Sequence, residues 1–340
     1  IMNVFIKSFN RPYYLERCIQ SVLQNVVDDK LSIIVLDDGT NPKYLGKIRD
    51  KYPNVIIKLS PFYNEKASKI EKFISDGITI KEMEIPTQFW LSNIMECEDK
   101  YFLLLEDDFW LTETIDVKST LELLQKNDIC MLKLFYFGNS KIISGTIKEL
   151  SIDINEIQPK LPIKNQFLFE KIIIENSFRV GSLLSKMNIL NDSIVKYYTI
   201  YHVAGAIFSK EYYSHLWKDF IGVVDENKQL IKAVNFFNLK KARYAVFKND
   251  VVNTSFSSSA TNMFSDIKFD PFVYNHILNE AWFNDELNAM SGYPKDINSG
   301  NIADILENKK EGLASVSEWN KWVSRFQNQY QEIGFEINNE

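Results

Sequence analysis

Two runs of this chain, Leu31–Leu36 and Tyr101–Leu105, are too apolar for a surface strand; the second reads Tyr-Phe-Leu-Leu-Leu. A third, shorter run spans Met2–Lys7. Such runs suit strands buried on both faces, and parallel sheets reach that state when helices cross over between neighbouring strands. The intervening sequence supplies the helices. Pro12 can open one, because a first turn does not need its missing N–H. Leu15, Cys18, Ile19, Val22 and Leu23 then share one face. Further helices are expected over about 43–52, 65–75 and 86–97, with a strand at Val55–Leu59. The predicted class is α/β, with a mostly parallel, right-handed central sheet flanked by helices.

Open sheets of this kind bind ligands outside the carboxyl ends of their strands. Three strand ends carry polar or acidic residues: Ser8-Phe9-Asn10-Arg11, Asp37-Asp38 and Glu106-Asp107-Asp108. Acids at the rim of an apolar core cost several kcal/mol to desolvate, roughly, unless paired or bound to a cation. Mg²⁺ or Mn²⁺ is a natural partner, held by one or two carboxylates and a substrate phosphate. A plain solvated acidic turn is the competing reading. Asp37-Asp38-Gly39 admits either a carboxylate facing a nucleobase or ribose, or an Asx turn that caps the next helix. At Ser8–Pro12 a helix N-terminus favours an anion and Phe9 offers a stacking face, while Asn10 also suits an N-cap.

The rest of the chain is less regular. Strands are expected at Ile129–Phe137 and Tyr198–Phe208, with an excursion over Ser140–Asn165 between them. Helices are expected over 210–218 and 225–237. The small-polar loop Ser255–Asn262 is the best boundary, dividing a catalytic domain (1–255) from a mainly helical C-terminal extension (256–340) with helices near 273–290, 302–311 and 317–331. In the last of these, Trp319, Trp322, Val323, Phe326 and Tyr330 form an aromatic stripe that suits packing on the core or on a second subunit. Contact with a membrane surface is the sharper alternative, though basic flanking is thin.

Net charge is −6, without a long basic block, which disfavours nucleic acid as a partner. Cys18, Cys97 and Cys130 stand far apart and form no metal-ligand or disulfide pattern. The N-terminal run lacks the features of a signal peptide, and no stretch approaches the roughly 20 apolar residues that span a bilayer. These features make a cytoplasmic location, with at most peripheral membrane contact, the expectation.

Lys7-Ser8-Phe9-Asn10-Arg11-Pro12-Tyr13-Tyr14-Leu15, the helix bearing Ile19-Gln20-Ser21-Val22-Leu23, the run Ser32–Thr40 and the run Tyr101–Asp108 together resemble family 2 glycosyltransferases of the GT-A fold, in order, over about Met2–Leu111. The resemblance implies a nucleotide-sugar site built on a Rossmann-like sheet. Ser8, Phe9, Asn10 and Arg11 would lie in the donor site, with Phe9 beside the base where the family usually has Tyr. Asp38 would contact uracil or its equivalent, Asp107 the ribose or sugar, and Asp108 the metal. Glu106 takes the first place of the acidic motif, where Asp is common. Family members that invert place a carboxylate base downstream, near a helix start. Asp225 is the first candidate and Glu226 the second, against the reading that both only complement the helix dipole. His202, His215 and His276 read as structural. Lys66, Lys69 and Lys72 suit either a diphosphate or a solvated helix face.

The function so implied is metal-dependent transfer, with Mn²⁺ or Mg²⁺, of a sugar from a nucleotide donor, a UDP-sugar foremost. The acceptor is a hydroxyl of a saccharide or glycoconjugate, with inversion. A nucleotidyltransferase on a related fold is disfavoured by the absence of glycine from Ser8–Pro12. A non-catalytic nucleotide-sugar-binding protein is the other alternative.

Overall fold

The computed structural model describes residues 2–28, 30–177 and 193–337. Its first third alternates as its apolar runs dictate: β1 (Met2–Ser8), α1 (Pro12–Asn25), β2 (Leu31–Asp37), α2 (Pro42–Lys51), β3 (Ile56–Leu59), α3 (Tyr63–Asp76), α4 (Thr87–Glu96) and β4 (Tyr101–Glu106). Helix α5 (Val117–Lys126) is N-capped by Asp116 and leads to β5 (Ile129–Lys133). Strands β6 (Gly145–Glu149) and β7 (Ile154–Pro159) form a hairpin. Beyond residue 193 come β8 (Ala206–Ser209), α6 (Lys210–Trp217), α7 (Glu226–Lys240), β9 (Arg243–Phe247), α8 (Pro271–Phe283), α9 (Ser299–Lys309) and α10 (Val316–Glu332).

One nine-stranded sheet runs in the order β3-β2-β1-β4-β8-β5-β9-β7-β6. Strands β3, β2, β1 and β4 pair in parallel, and so do β5 and β9. The other pairings, starting with β8 wedged between β4 and β5, are antiparallel. The sheet is therefore parallel where helices cross over and antiparallel where hairpins and returns feed it.

Two sequence expectations shift here. The excursion over Ser140–Asn165 contains the β6–β7 hairpin; every residue of β6 is exposed at the sheet edge, so its polar sequence carries no burial signal. The strand expected over Tyr198–Phe208 is only Ala206–Ser209, while Tyr198–Ile200 is a tight turn. That turn is held by the buried Lys133, whose ammonium donates to the carbonyls of Tyr198 (2.6 Å) and Tyr201 (3.0 Å). The apolar run is equally long either way; Lys133 bends it together with the Tyr212 hydroxyl, which donates to the Ile200 carbonyl, and the Ser144 amide, which donates to Thr199 Oγ1.

Alternate strand residues point to two cores. Val4, Ile6, Val35, Leu103 and Leu105 face α1 and α2; Phe5, Leu36, Phe102 and Leu104 face α4, α6 and α7. The first core also takes in Tyr274, Leu278, Trp282, Trp319 and Trp322 from α8 and α10. The aromatic stripe of the last helix thus packs within the chain, with Trp319 and Trp322 indoles donating to the carbonyls of Ser257 and Asn262.

Helix α1 joins the two ends of the chain through polar bonds as well. The Tyr14 hydroxyl donates to Asp296 (2.8 Å), and Asp296 also accepts from Ser255 and Ser257. Arg17 is fully buried over the Trp110 ring and donates to the carbonyls of Ala289 (2.8 Å), Ser291 (3.0 Å) and Lys295. Replacing Arg17 by Ala orphans these carbonyls and empties the space over Trp110. A loss of at least about 3 kcal/mol is expected, read as a lowered urea midpoint with an unchanged slope.

Candidate functional site

The parallel register brings three strand ends to one rim. Ser8 sits beside Asp37 across β1–β2, and Lys7 beside Glu106 across β1–β4. The main chain past each strand is fixed by hydrogen bonds to its neighbours: the Asp38 amide donates to the Ser8 carbonyl, and the Asp107 amide to that of Lys7.

The two aspartates that end β2 divide their work. Asp37 is fully buried and accepts from Ser8 Oγ, the amides of Gly39 and Thr40, and Thr40 Oγ1. It builds the turn. Asp38 points the other way and accepts from Ser60 Oγ and Lys66 Nζ. Burial pushes its carboxyl up from the usual range, and Lys66 and Ser60 pull against that. Gly39, at φ +142°, allows this crossing: a Cβ there would lie 2.9 Å from Lys66 Cβ and 3.2 Å from the Phe9 ring.

Around the first turn of α1, Asn10 is buried at φ +55°, its amide donating to Thr40 Oγ1. The N-cap position of α1 belongs to Arg11, without a side-chain capping bond, so Asn10 does not serve as the cap. Arg11 turns its guanidinium across the rim to β4. One nitrogen lies 2.5 Å from Asp107 and the other 2.8 Å from Asp108. Asp107 also accepts the Phe9 amide at 3.0 Å. Burial pushes the Asp107 carboxyl upward while Arg11 opposes, and the two neighbouring acids raise the guanidinium in turn. Asp108 retains one buried oxygen, Oδ1, with no partner among the described residues.

These residues border a cleft of ≈ 670 Å³. Its floor is Lys7, Ser8, Phe9, Arg11, Asp38, Glu106 and Asp107; Lys66 and Phe73 of α3, the segment 79–86 and Trp90 of α4 form the sides. The far wall comes from beyond residue 256: Ala260, Thr261, Met263, Asp270 and Phe272. Phe272 stands edge-on to Phe9, with ring centroids 6.3 Å apart. Of the other α3 lysines, Lys69 pairs with Glu65, and Lys72 is exposed.

The structure separates the two downstream acids. Asp225 is the N-cap of α7: its carboxylate accepts the Lys228 amide at 3.0 Å and pairs with the Lys228 ammonium at 3.4 Å. Glu226 is exposed and accepts the Tyr198 hydroxyl at 2.7 Å. Its charge reaches Glu106, whose carboxyl is raised first by burial.

Tyr330, in the last turn of α10, closes the aromatic stripe of that helix. Its ring packs against Phe256, Phe326 and Phe335 at 5.3, 5.2 and 5.9 Å. Its phenol is pushed up to about 12, first by burial and then by the charges of Asp108, Glu106 and Glu226. Ser8, Phe9, Arg11, Asp38, Glu106 and Asp107 thus share one cleft; Asp108 abuts it through Arg11; Glu226 stands exposed on α7, bonded to Tyr198; Asn10 is held in a turn and Asp225 in a helix cap.

His202 lies edge-on to Phe135 at 4.7 Å, and burial keeps its imidazole well below its ordinary pKa, in the neutral form. Among the described residues no group of three or more His, Cys, Asp or Glu is set to hold a metal, so a cation at Asp108 needs further ligands from a bound phosphate or water. No helix among the described residues is long and apolar enough to cross a membrane.

Replacing Lys66 by Met leaves Asp38 buried with Ser60 alone. A loss of about 3 kcal/mol is expected at pH 7 by urea unfolding. An acid whose folded pKa is raised contributes stability below its unfolded pKa, near 4, and loses it as pH rises. The deficit of the variant is therefore expected to shrink between pH 7 and pH 4.

Residues 3–76 match the family model described as Glycosyl transferase family 2. Among solved structures, the chain is similar to S. aureus TarS 1–349, at 10% identity and a TM-score of 0.43, over 100% of this chain and 76% of that one. The same S. aureus protein in complex with UDP-GlcNAc aligns at 11% identity and 0.40, over 97% and 72%. Glucosyl-3-phosphoglycerate synthase from Mycobacterium tuberculosis, solved with Mn²⁺, UDP-glucose and phosphoglyceric acid, aligns at 15% and 0.31, over 63% and 58%. At such TM-scores these likenesses carry no argument. No curated protein matches the chain.

Proposed function

We propose that this chain, family 2 glycosyltransferase-like over residues 3–76 and of the GT-A fold, moves a sugar from a nucleotide-diphosphate donor, a UDP-sugar foremost, to a hydroxyl of a saccharide or glycoconjugate. The observation that carries the reading is the single cleft in which Phe9, Asp38 and Lys66 meet Arg11, Glu106 and Asp107. One end offers an aromatic face and a fixed carboxylate, which suits a base and its N–H donor. The other end gathers acids beside an arginine, which suits a sugar and a diphosphate.

Each residue has a task that its surroundings permit. Phe9 stacks on the base, with Phe272 closing the pocket edge-on. Asp38, fixed by Lys66 and Ser60, accepts from the base or ribose. Asp107, oriented by the Phe9 amide and Arg11, accepts from the ribose or sugar. Asp108 would hold Mn²⁺ or Mg²⁺ through Oδ1, a buried acceptor with no other partner among the described residues, together with phosphate oxygens. A divalent cation held there would supply positive charge against the negative charge that grows on the leaving diphosphate.

Glu226 is the base in this reading, ahead of Asp225, which is consumed as a helix cap. Tyr198 fixes one oxygen of Glu226, and among the described residues the other accepts nothing. That oxygen would take the acceptor's proton as the acceptor oxygen attacks the anomeric carbon and the diphosphate departs. Direct attack in one step inverts the centre, which has oxocarbenium character as in other glycosyl transfers.

The test is a screen of UDP-sugars for donor hydrolysis and transfer, with Mn²⁺ or with chelator. Asp108→Ala is expected to remove metal-dependent turnover, and full activity of that variant in chelator would overturn the metal assignment. Glu226→Gln is expected to lower kcat by about 10²-fold or more while nucleotide affinity holds. Asp225→Ala should cost about 1 kcal/mol of stability through its lost cap and retain turnover within a few-fold. Nucleotide binding with no hydrolysis or transfer for any donor would favour a binding protein.

A further inference from the structure

The parallel register sets Lys7 beside Glu106, so both side chains leave the sheet on the face of Phe5, Phe102 and Leu104. There the Lys7 ammonium lies between two indoles, 4.3 Å from the Trp90 ring centroid and 4.5 Å from that of Trp217. Lys7 is only 6% exposed, yet it lines the cleft together with Glu106 and Trp90. Among the described residues nothing accepts a hydrogen bond from its Nζ. The Nζ still reaches the cleft, so its three donors are open to a ligand that replaces water there. The indole faces favour the charge but leave the N–H groups to such a ligand. Burial draws the amine down to about 8, and the Glu106 carboxylate opposes the shift.

We propose that Lys7 and Glu106 form the subsite for the donor's sugar, and that they select a neutral hexose by its neighbouring hydroxyls. This rests on the nucleotide-sugar reading of the same cleft. A hydroxyl can accept from the ammonium while it, or its neighbour, donates to the carboxylate. The pair carries no net charge, so it suits a neutral ring. An acidic sugar would set its carboxylate against Glu106, and an amino sugar would set its ammonium against Lys7. Trp90 and Trp217 fix the lysine stem and head, which makes the spacing of the two polar groups rigid. Both groups line the cleft with Asp107.

The test is calorimetric titration of the full chain, with Mn²⁺ present, using UDP, UDP-glucose, UDP-N-acetylglucosamine and UDP-glucuronate. Lys7→Met keeps the stem between the indoles and removes the donors; Lys7→Gln keeps one donor group and serves if the first variant does not fold, as judged by circular dichroism. The expected result is a Kd for the preferred neutral UDP-hexose raised tenfold or more, with the Kd for UDP changed less than twofold. Equal changes for UDP and UDP-hexose, no change in either, or a wild-type preference for UDP-glucuronate would overturn the subsite. Failure of the wild-type chain to bind UDP at all would overturn the nucleotide reading, and this one with it. Intact UDP binding without the sugar-dependent difference would overturn only the subsite.

Discussion

Arg11 holds the cleft together. Asp107 and Asp108 end one strand, and their carboxylates would repel each other at the edge of an apolar core. The guanidinium that separates them comes from the first turn after another strand, and its planar fork reaches both acids at once. The ends of β1 and β4 are thereby locked in one relative position. The same turn sets Phe9 over the cleft and sends its amide to Asp107. A shift of either strand would break the ion pairs, the hydrogen bond from the Phe9 amide and the aromatic wall together.

The N-terminal half of this arrangement was legible in the sequence because its signals are local. Apolar runs marked β2 and β4, Pro12 marked the start of α1, and acids marked the strand ends. The parallel register, which is a property of the backbone, then brought the marked residues together. The acid pairs were legible as pairs but not in their division of labour. Asp37 and Asp38 are adjacent and alike, and only Thr40, Ser8, Ser60 and Lys66 distinguish the turn-builder from the cleft-facing acid. The same holds for Asp225 and Glu226, which a cap and a distant tyrosine set apart.

What escaped the sequence depends on contacts across long separations. The bend at Tyr198–Ile200 relies on Lys133, which reads as the end of an ordinary strand. Asp270 and Phe272 line the cleft although they lie well past the loop that suggested a boundary. Tyr330 belongs to an aromatic stripe of which Trp319 and Trp322 are buried, and helical periodicity does not reveal which of its members meet Phe256 and Phe335. The C-terminal helices are part of the wall of the cleft and of the core beneath it.

That arrangement has a consequence for how the chain folds. The Arg17–Ala289 bond spans 272 positions, Tyr13–Ser258 spans 245 and Tyr14–Asp296 spans 282. Closing a loop of such length costs entropy before the contact returns any gain, and topologies rich in distant contacts fold slowly. Until those contacts form, α1 shows Tyr13, Tyr14 and a bare guanidinium to water or to a neighbouring chain. The rim of the cleft is thus legible locally in the sequence yet among the last parts to be sealed, and until it is sealed the chain is exposed to aggregation.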